Sequence, residues 1–140
     1  MADFCSSEVA RCAGVTLRQL QWWDENGIVS PRKTGHRRQY TTSEVVVVSV
    51  IRDLREKGLS IQRIRGFVRS LRLEVTSGRM AFLVTDGRSA WFPATAMEAM
   101  SKAAQLRRPS TVIDIGRHAL NVLAQAKARK VSRSTTSQPG

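Results

Sequence analysis

The sequence predicts a mainly α protein in two parts: four helices interrupted by a β-hairpin, then a small α+β unit. Three observations carry that expectation. Helix-opening pairs recur at Thr16-x-x-Gln19, Thr41-x-x-Glu44 and Thr95-x-x-Glu98, where a hydroxyl and a Glu or Gln three places on satisfy each other's backbone N–H. Segments 31–40 and 81–92 combine strand formers with Gly-centred turns. Apolar residues at helical spacing fill most of the rest. The chain has 140 residues, room for one ordinary domain or two small ones.

The first helix is expected from a cap at Ser6 or Ser7 through Ala13, burying Val9 and Ala10 and ending at Gly14. Thr16 opens the second, which runs through Leu20 and Trp23 to Gly27, with Pro31 closing the exit. Two or three residues between them is helix-turn-helix spacing. Residues 31–40, PRKTGHRRQY, are too basic for a core and fit a short hairpin around Gly35. The third helix opens at Thr41 and ends before Gly58. Its run Val45–Val48 favours a strand by propensity, but Val45, Val48, Ile51 and Leu54 keep one helical face. Ser60 caps a fourth helix with Ile64, Phe67, Val68 and Leu71 inward and Arg63, Arg65, Arg69 and Arg72 outward.

Asp86-Gly87 predicts a two-residue hairpin turn. That register sets Val84 opposite Ser89 and Phe82 opposite Trp91, so Phe82, Val84 and Trp91 share the buried face. A fifth helix from Thr95 is expected to turn Met97, Met100, Ala104 and with them Ala103 inward and to stop before Pro109. Val112, Ile113 and Ile115 suggest a third strand, and a last helix follows over about 116–130. This second unit has a thin core, which packing on the first unit or on another subunit would complete. Residues 131–140, rich in Ser and Thr, read as a disordered tail.

Composition narrows the partners. Lys and Arg number 23 against 11 Asp and Glu, a net charge of +12, which favours a polyanion. Residues 1–72 carry 13 basic and 7 acidic residues, and residues 73–140 carry 10 and 4, so the excess is spread over both halves. No apolar run reaches membrane-spanning length and the N-terminus lacks a signal-peptide pattern. Cys5 and Cys12 are too few for a disulfide framework, consistent with a cytoplasmic protein. They are also too few for a thiolate metal site, and His36 and His118 are distant in sequence, so no metal and no cofactor is expected. No nucleophile, phosphate-loop or paired-carboxylate motif appears, and an enzyme is not expected.

Several spaced motifs occur in order: Ser7-Glu8-Val9-Ala10, Gly14-Val15-Thr16, Leu20-Gln21-Trp22-Trp23-Asp24, Gly27-Ile28-Val29-Ser30-Pro31, Arg38-Gln39-Tyr40 and Gly58-Leu59-Ser60. On these residues the segment Phe4–Leu73 resembles the DNA-binding domain of the MerR family of transcriptional regulators. The resemblance implies a winged helix-turn-helix over residues 1–73 that works as a homodimer, with the second helix in the major groove and a basic wing beside it. Residues 74–130 are expected to be a dimerisation, effector or partner unit, although the long coiled coil that usually makes the family's dimer has no uninterrupted heptad after Leu73 here. The resemblance also implies RNA polymerase at the promoter and bending of the DNA.

Physical chemistry distributes the roles. Thr16, Arg18 and Gln19 stand at the end of the helix that reaches base edges, and Arg18 is the candidate for a bidentate guanine contact, worth about 1–3 kcal/mol of discrimination. Lys33, Arg37 and Arg38 of the wing are candidates for phosphate contacts. His36 is either a phosphate-tuning group or an inert exposed histidine. Tyr40 is either a packing anchor or a phosphate donor. The family usually has Leu-Arg-Tyr-Tyr where this chain has Leu20-Gln21-Trp22-Trp23. Gln21 therefore lacks the charge-assisted phosphate contact, Trp22 retains an indole donor, and Trp23 is expected in the core against Ile28 and Leu54. Phe82, Trp91 and Phe92 either line an effector pocket or form core or dimer interface. The expected function is sequence-specific binding of double-stranded DNA at a pseudo-palindromic promoter site in the nucleoid. The alternatives are an antitoxin-like or adaptor module, and a sequence-tolerant DNA-coating protein.

Overall fold

A computed structural model describes residues 3–136. Helix α1 (Ser6–Ala13) begins one residue earlier than expected, because Cys5 takes the cap position and donates its backbone N–H to Glu8 Oε1 at 3.0 Å. It ends at Gly14, whose φ of 70° lets the chain reverse. Helix α2 (Leu17–Glu25) opens on the expected box: Gln19 N–H donates to Thr16 Oγ1 at 3.0 Å, and Thr16 N–H donates to Gln19 Oε1 at 2.9 Å.

The basic hairpin forms from β2 (Arg32–Thr34) and β3 (Arg37–Tyr40), turning at Gly35-His36. A third strand, β1 (Phe4–Cys5), joins it in the order β1-β3-β2, pairing Phe4 with Tyr40, both fully buried. Two residues carry no readable alternation, so this strand was invisible in the pattern. Helix α3 (Thr42–Glu56) lies at the centre of the molecule, packed against α1 and elements of the second half. Val46, Val47 and Val50 are therefore buried along with the one face expected from spacing, and β-branched residues are tolerated because the helix is packed round most of its length before Arg52.

The expected fourth helix is two: α4 (Ile61–Arg65), capped by Ser60, and α5 (Val68–Thr76). They part at Gly66-Phe67, where Gly66 and Phe67 donate to the carbonyls of Arg63 and Ile64 in tight turns. A Cβ on Gly66 would stand 3.2 Å from the Arg63 carbonyl oxygen. Inward and outward residues fall as expected on both pieces.

The second half forms a sheet of order β5-β4-β6 from β4 (Phe82–Thr85), β5 (Ala90–Trp91) and β6 (Thr111–Asp114), with α6 (Ala96–Gln105) and α7 (Ile115–Thr136). The hairpin register differs from expectation: Val84 pairs with Trp91 and Thr85 with Ala90. Asp86 Oδ1 accepts from the N–H groups of Arg88 and Ser89, both at 2.9 Å. That carboxylate turn builds a four-residue loop and displaces the two-residue one. Phe82, Val84 and Trp91 do share a face, but the strand is buried on both sides. Leu83 and its partner Ile113 belong to the main core with Ile115 and Val122. Helix α6 also corrects the expectation, since Met97 and Met100 are 79% and 72% exposed while Ala99 is buried. The helix approaches the sheet through Ala99, with Ala103 half-buried, while Ala104, expected inward, is exposed like the two methionines.

Helix α7 extends past the expected end near 130 to Thr136, and residues 137–140 of the expected tail lie outside the described residues. It packs along α3, where His118 Nδ1 meets Ser49 Oγ at 2.6 Å and His118 Nε2 meets Asp53 Oδ2 at 2.9 Å. Asp53 also pairs with Lys57. The protein is mainly α. No helix among the described residues is long and apolar enough to cross a membrane.

Candidate nucleic-acid interface

The first turn of α2 is exposed: Thr16, Leu17, Arg18 and Gln19 all face solvent, while Leu20 and Trp23 anchor the helix in the core. The capping box occupies the Thr16 hydroxyl and the Gln19 carbonyl, so Gln19 meets an outside group through its amide nitrogen. The leading N–H groups of the helix lack intrahelical partners and carry its positive end. Beside this turn runs a groove of about 450 Å³ lined by Thr16, Arg18, Gln19, Trp22, Trp23, Arg55 and Ile61. Trp22 is 43% exposed along it. Gln21 is exposed, and its amide donates to Glu25 Oε1 at 2.9 Å.

The wing is tied to α2 by Asp24, a nearly buried carboxylate. Arg38 Nε donates to Asp24 Oδ2 at 2.5 Å, and Lys33 Nζ lies 3.1 Å from the same oxygen. Burial pushes the Asp24 carboxyl up, but the hydrogen bonds and charges of Arg38 and Lys33 outweigh burial and hold it below its ordinary value. The Asp24 bond in turn raises Arg38 above its ordinary value. Arg38 and Lys33 thus set where the wing stands. At its tip His36 and Arg37 are exposed.

Tyr40 stands apart from the other wing residues. Its side chain is fully buried, and its hydroxyl is buried with no hydrogen-bond partner. Burial pushes its pKa up to about 12. Of its two readings the packing anchor fits, because a phosphate cannot reach a phenol enclosed by β1 and the core. Among the described cavities none brings Phe82 together with Trp91 and Phe92. Trp91 and Phe92 line a shallow recess of about 570 Å³ with Pro93, Met97 and Lys102, whose Nζ lies 4.3 Å from the Trp91 ring centre, and Phe82 is not among its walls. No group of three or more His, Cys, Asp and Glu that could hold a metal occurs among the described residues.

Sequence reasoning assigned no role to Asp24 or Arg55. Asp24 carried a signal, as the acid closing the Leu20–Asp24 motif, but its partners lie 9 and 14 residues away on a separately folded hairpin. Arg55 offered none, since it is one of many exposed basic residues.

No curated protein matches the chain. The family model described as MerR HTH family regulatory protein matches residues 4–71, the segment that builds β1 through α4, the wing and the exposed turn of α2. Residues 4–71 belong to the MerR family of helix-turn-helix regulators, a family of DNA-binding transcription regulation.

Proposed function

We propose that the chain is a sequence-specific transcriptional regulator that binds duplex DNA as a homodimer on a pseudo-palindromic promoter site, in the cytoplasm beside RNA polymerase. The observation that carries this reading is the exposed first turn of α2 with a basic hairpin fastened to the same helix through Asp24. Arg18 is the base-reading residue, Gln19 its neighbour on the same edge, and Trp22 lies along the groove. Arg37 and His36 meet the backbone, and Lys33 and Arg38 position the wing. Two-fold symmetry follows from the usual coupling of such helices to half-sites one helical turn apart. Met80, Leu120 and Leu123, all exposed, supply apolar surface for the second protomer.

A second reading, an adaptor whose second half clamps a protein partner, is favoured by the exposed Met97 and Met100 of α6. Selection of bound sites from random duplexes at physiological salt separates the two. The regulator reading expects enrichment of a symmetric site with fixed half-site spacing. Recovery of unenriched sequence, or no recovery, overturns it.

A further inference from the structure

The charge excess of the second half is not absorbed by the interface above. Part of it gathers at one place in the fold. Helix α4 is bonded on both sides: Arg65 Nη2 donates to the carbonyl of Asn26 at the end of α2 (3.2 Å), and Arg63 Nη1 donates to the carbonyl of Gly87 in the β4–β5 loop (3.0 Å). Its first residue, Ile61, lines the groove that also holds Arg18 and Arg55. Recognition helix, α4 and β4–β5 loop therefore stand in series.

That loop is stiff. Thr85 is buried and its hydroxyl donates to the Ser89 carbonyl at 2.7 Å while accepting from Gly87 N–H at 3.0 Å. The Asp86 carboxylate is engaged by two backbone N–H groups. Arg88 projects from this turn exposed. Thr85 pairs with Thr111, so the loop between α6 and β6, with Arg107 and Arg108 both exposed on it, meets the sheet at the same end as this turn. Three guanidiniums at one end of the sheet, with the Asp86 carboxylate beside Arg88 tied up by amides, suit a row of phosphates better than a point ligand.

We propose that the β4–β5 turn and the α6–β6 loop form a further backbone clamp, in which Arg88, Arg107 and Arg108 hold phosphates of the duplex flanking the segment read by α2. The clamp lies wholly outside residues 4–71, so the second half takes part in DNA binding directly. The inference rests on the regulator reading, and its test is arranged to separate the two.

The experiment uses the full chain and the selected duplex in two lengths, the site alone and the site with one extra helical turn on each side. Affinity is followed against salt for the wild type, for Arg88→Ala/Arg108→Ala and for the charge-matched control Arg117→Ala/Lys127→Ala on α7. With about 0.9 in slope per phosphate released, the first variant is expected to lose roughly 2 units of salt slope per protomer on the long duplex and none on the short one. The control keeps the wild-type slope on both. Equal losses in both variants, or no loss in the first, overturn the clamp while leaving the regulator reading intact. Failure of the wild type to retain any duplex overturns the regulator reading and the clamp with it.

Discussion

Replacing Asp24 by asparagine tests how the wing is held. The substitution keeps the shape and removes the charge that Arg38 and Lys33 share. A hydrogen bond to a charged group contributes about 1.5–3 kcal/mol and a neutral one about 0.5–1.5, so the Arg38 bond loses about 1–1.5 kcal/mol. Lys33 is half exposed and adds only a few tenths, about what a solvent-screened pair contributes. The total of about 1.5–2 kcal/mol corresponds to roughly 5–8 °C in Tm for a chain of this size. Affinity should fall evenly over all duplexes, with base preference kept, because the wing is loosened and the reading turn of α2 is untouched. The effect has a pH window. Asp24 is held below its ordinary 3.8, so its contribution is present in full above that value and is lost as pH falls through the lower folded value. Thermal melts at pH 7 and in acid check this. An Asp24→Asn variant that melts and binds like the wild type at pH 7, or whose deficit does not shrink as pH falls below 3.8, refutes this tie between wing and helix.

Three other outcomes follow from the same geometry. Arg37→Ala should lower the salt slope by about 0.9 per protomer, whereas Arg38→Ala should cost stability and affinity with little change in slope, since its guanidinium holds Asp24; equal slopes in the two would reverse those roles. Tyr40→Phe removes a buried hydroxyl without a partner and should leave Tm and DNA affinity unchanged or slightly improved. Because the phenol is raised to about 12, the wild type should lose stability as pH climbs from about 10 towards 12, and a Tyr40→Phe variant with the same alkaline loss contradicts the assignment. His118→Ala removes the bonds of that residue to Ser49 and Asp53 across α7 and α3 and should cost about 2–3 kcal/mol, measured by denaturant unfolding, with Ser49→Ala costing about 1 kcal/mol; no change in either shows that these bonds do not hold α7.

What was legible in the sequence was local. Thr16, Thr41, Ser60 and Thr95 cap their helices as expected, because a cap depends on residues three positions apart. The hairpin 32–40 followed from its turn chemistry. Misreadings came where a partner distant in sequence, or a competing polar group, decides. Asp86 redirected the second turn through its own carboxylate. Gly66 broke a helix whose apolar spacing ran straight through it. Met97 and Met100 carry the larger hydrophobicity of α6, yet close approach to a sheet selects Ala99. The site divides the same way: Thr16, Arg18 and Gln19 could be placed at a helix start from spacing alone. The role of Arg38 depends on Asp24, which only the folded hairpin brings to it.

On the proposed reading, the exposed start of α2 reads base edges through Arg18. The most direct measurement of this replaces each guanine of the selected site in turn by 7-deazaguanine, which keeps pairing but removes the major-groove N7 acceptor. The wild type should lose affinity at one guanine per half-site, by about tenfold for part of a contact of about 1–3 kcal/mol, and the Arg18→Ala variant should be indifferent at that guanine. Wild-type affinity insensitive to every replacement, or an Arg18→Ala variant that suffers the same loss at the same guanine, contradicts the account.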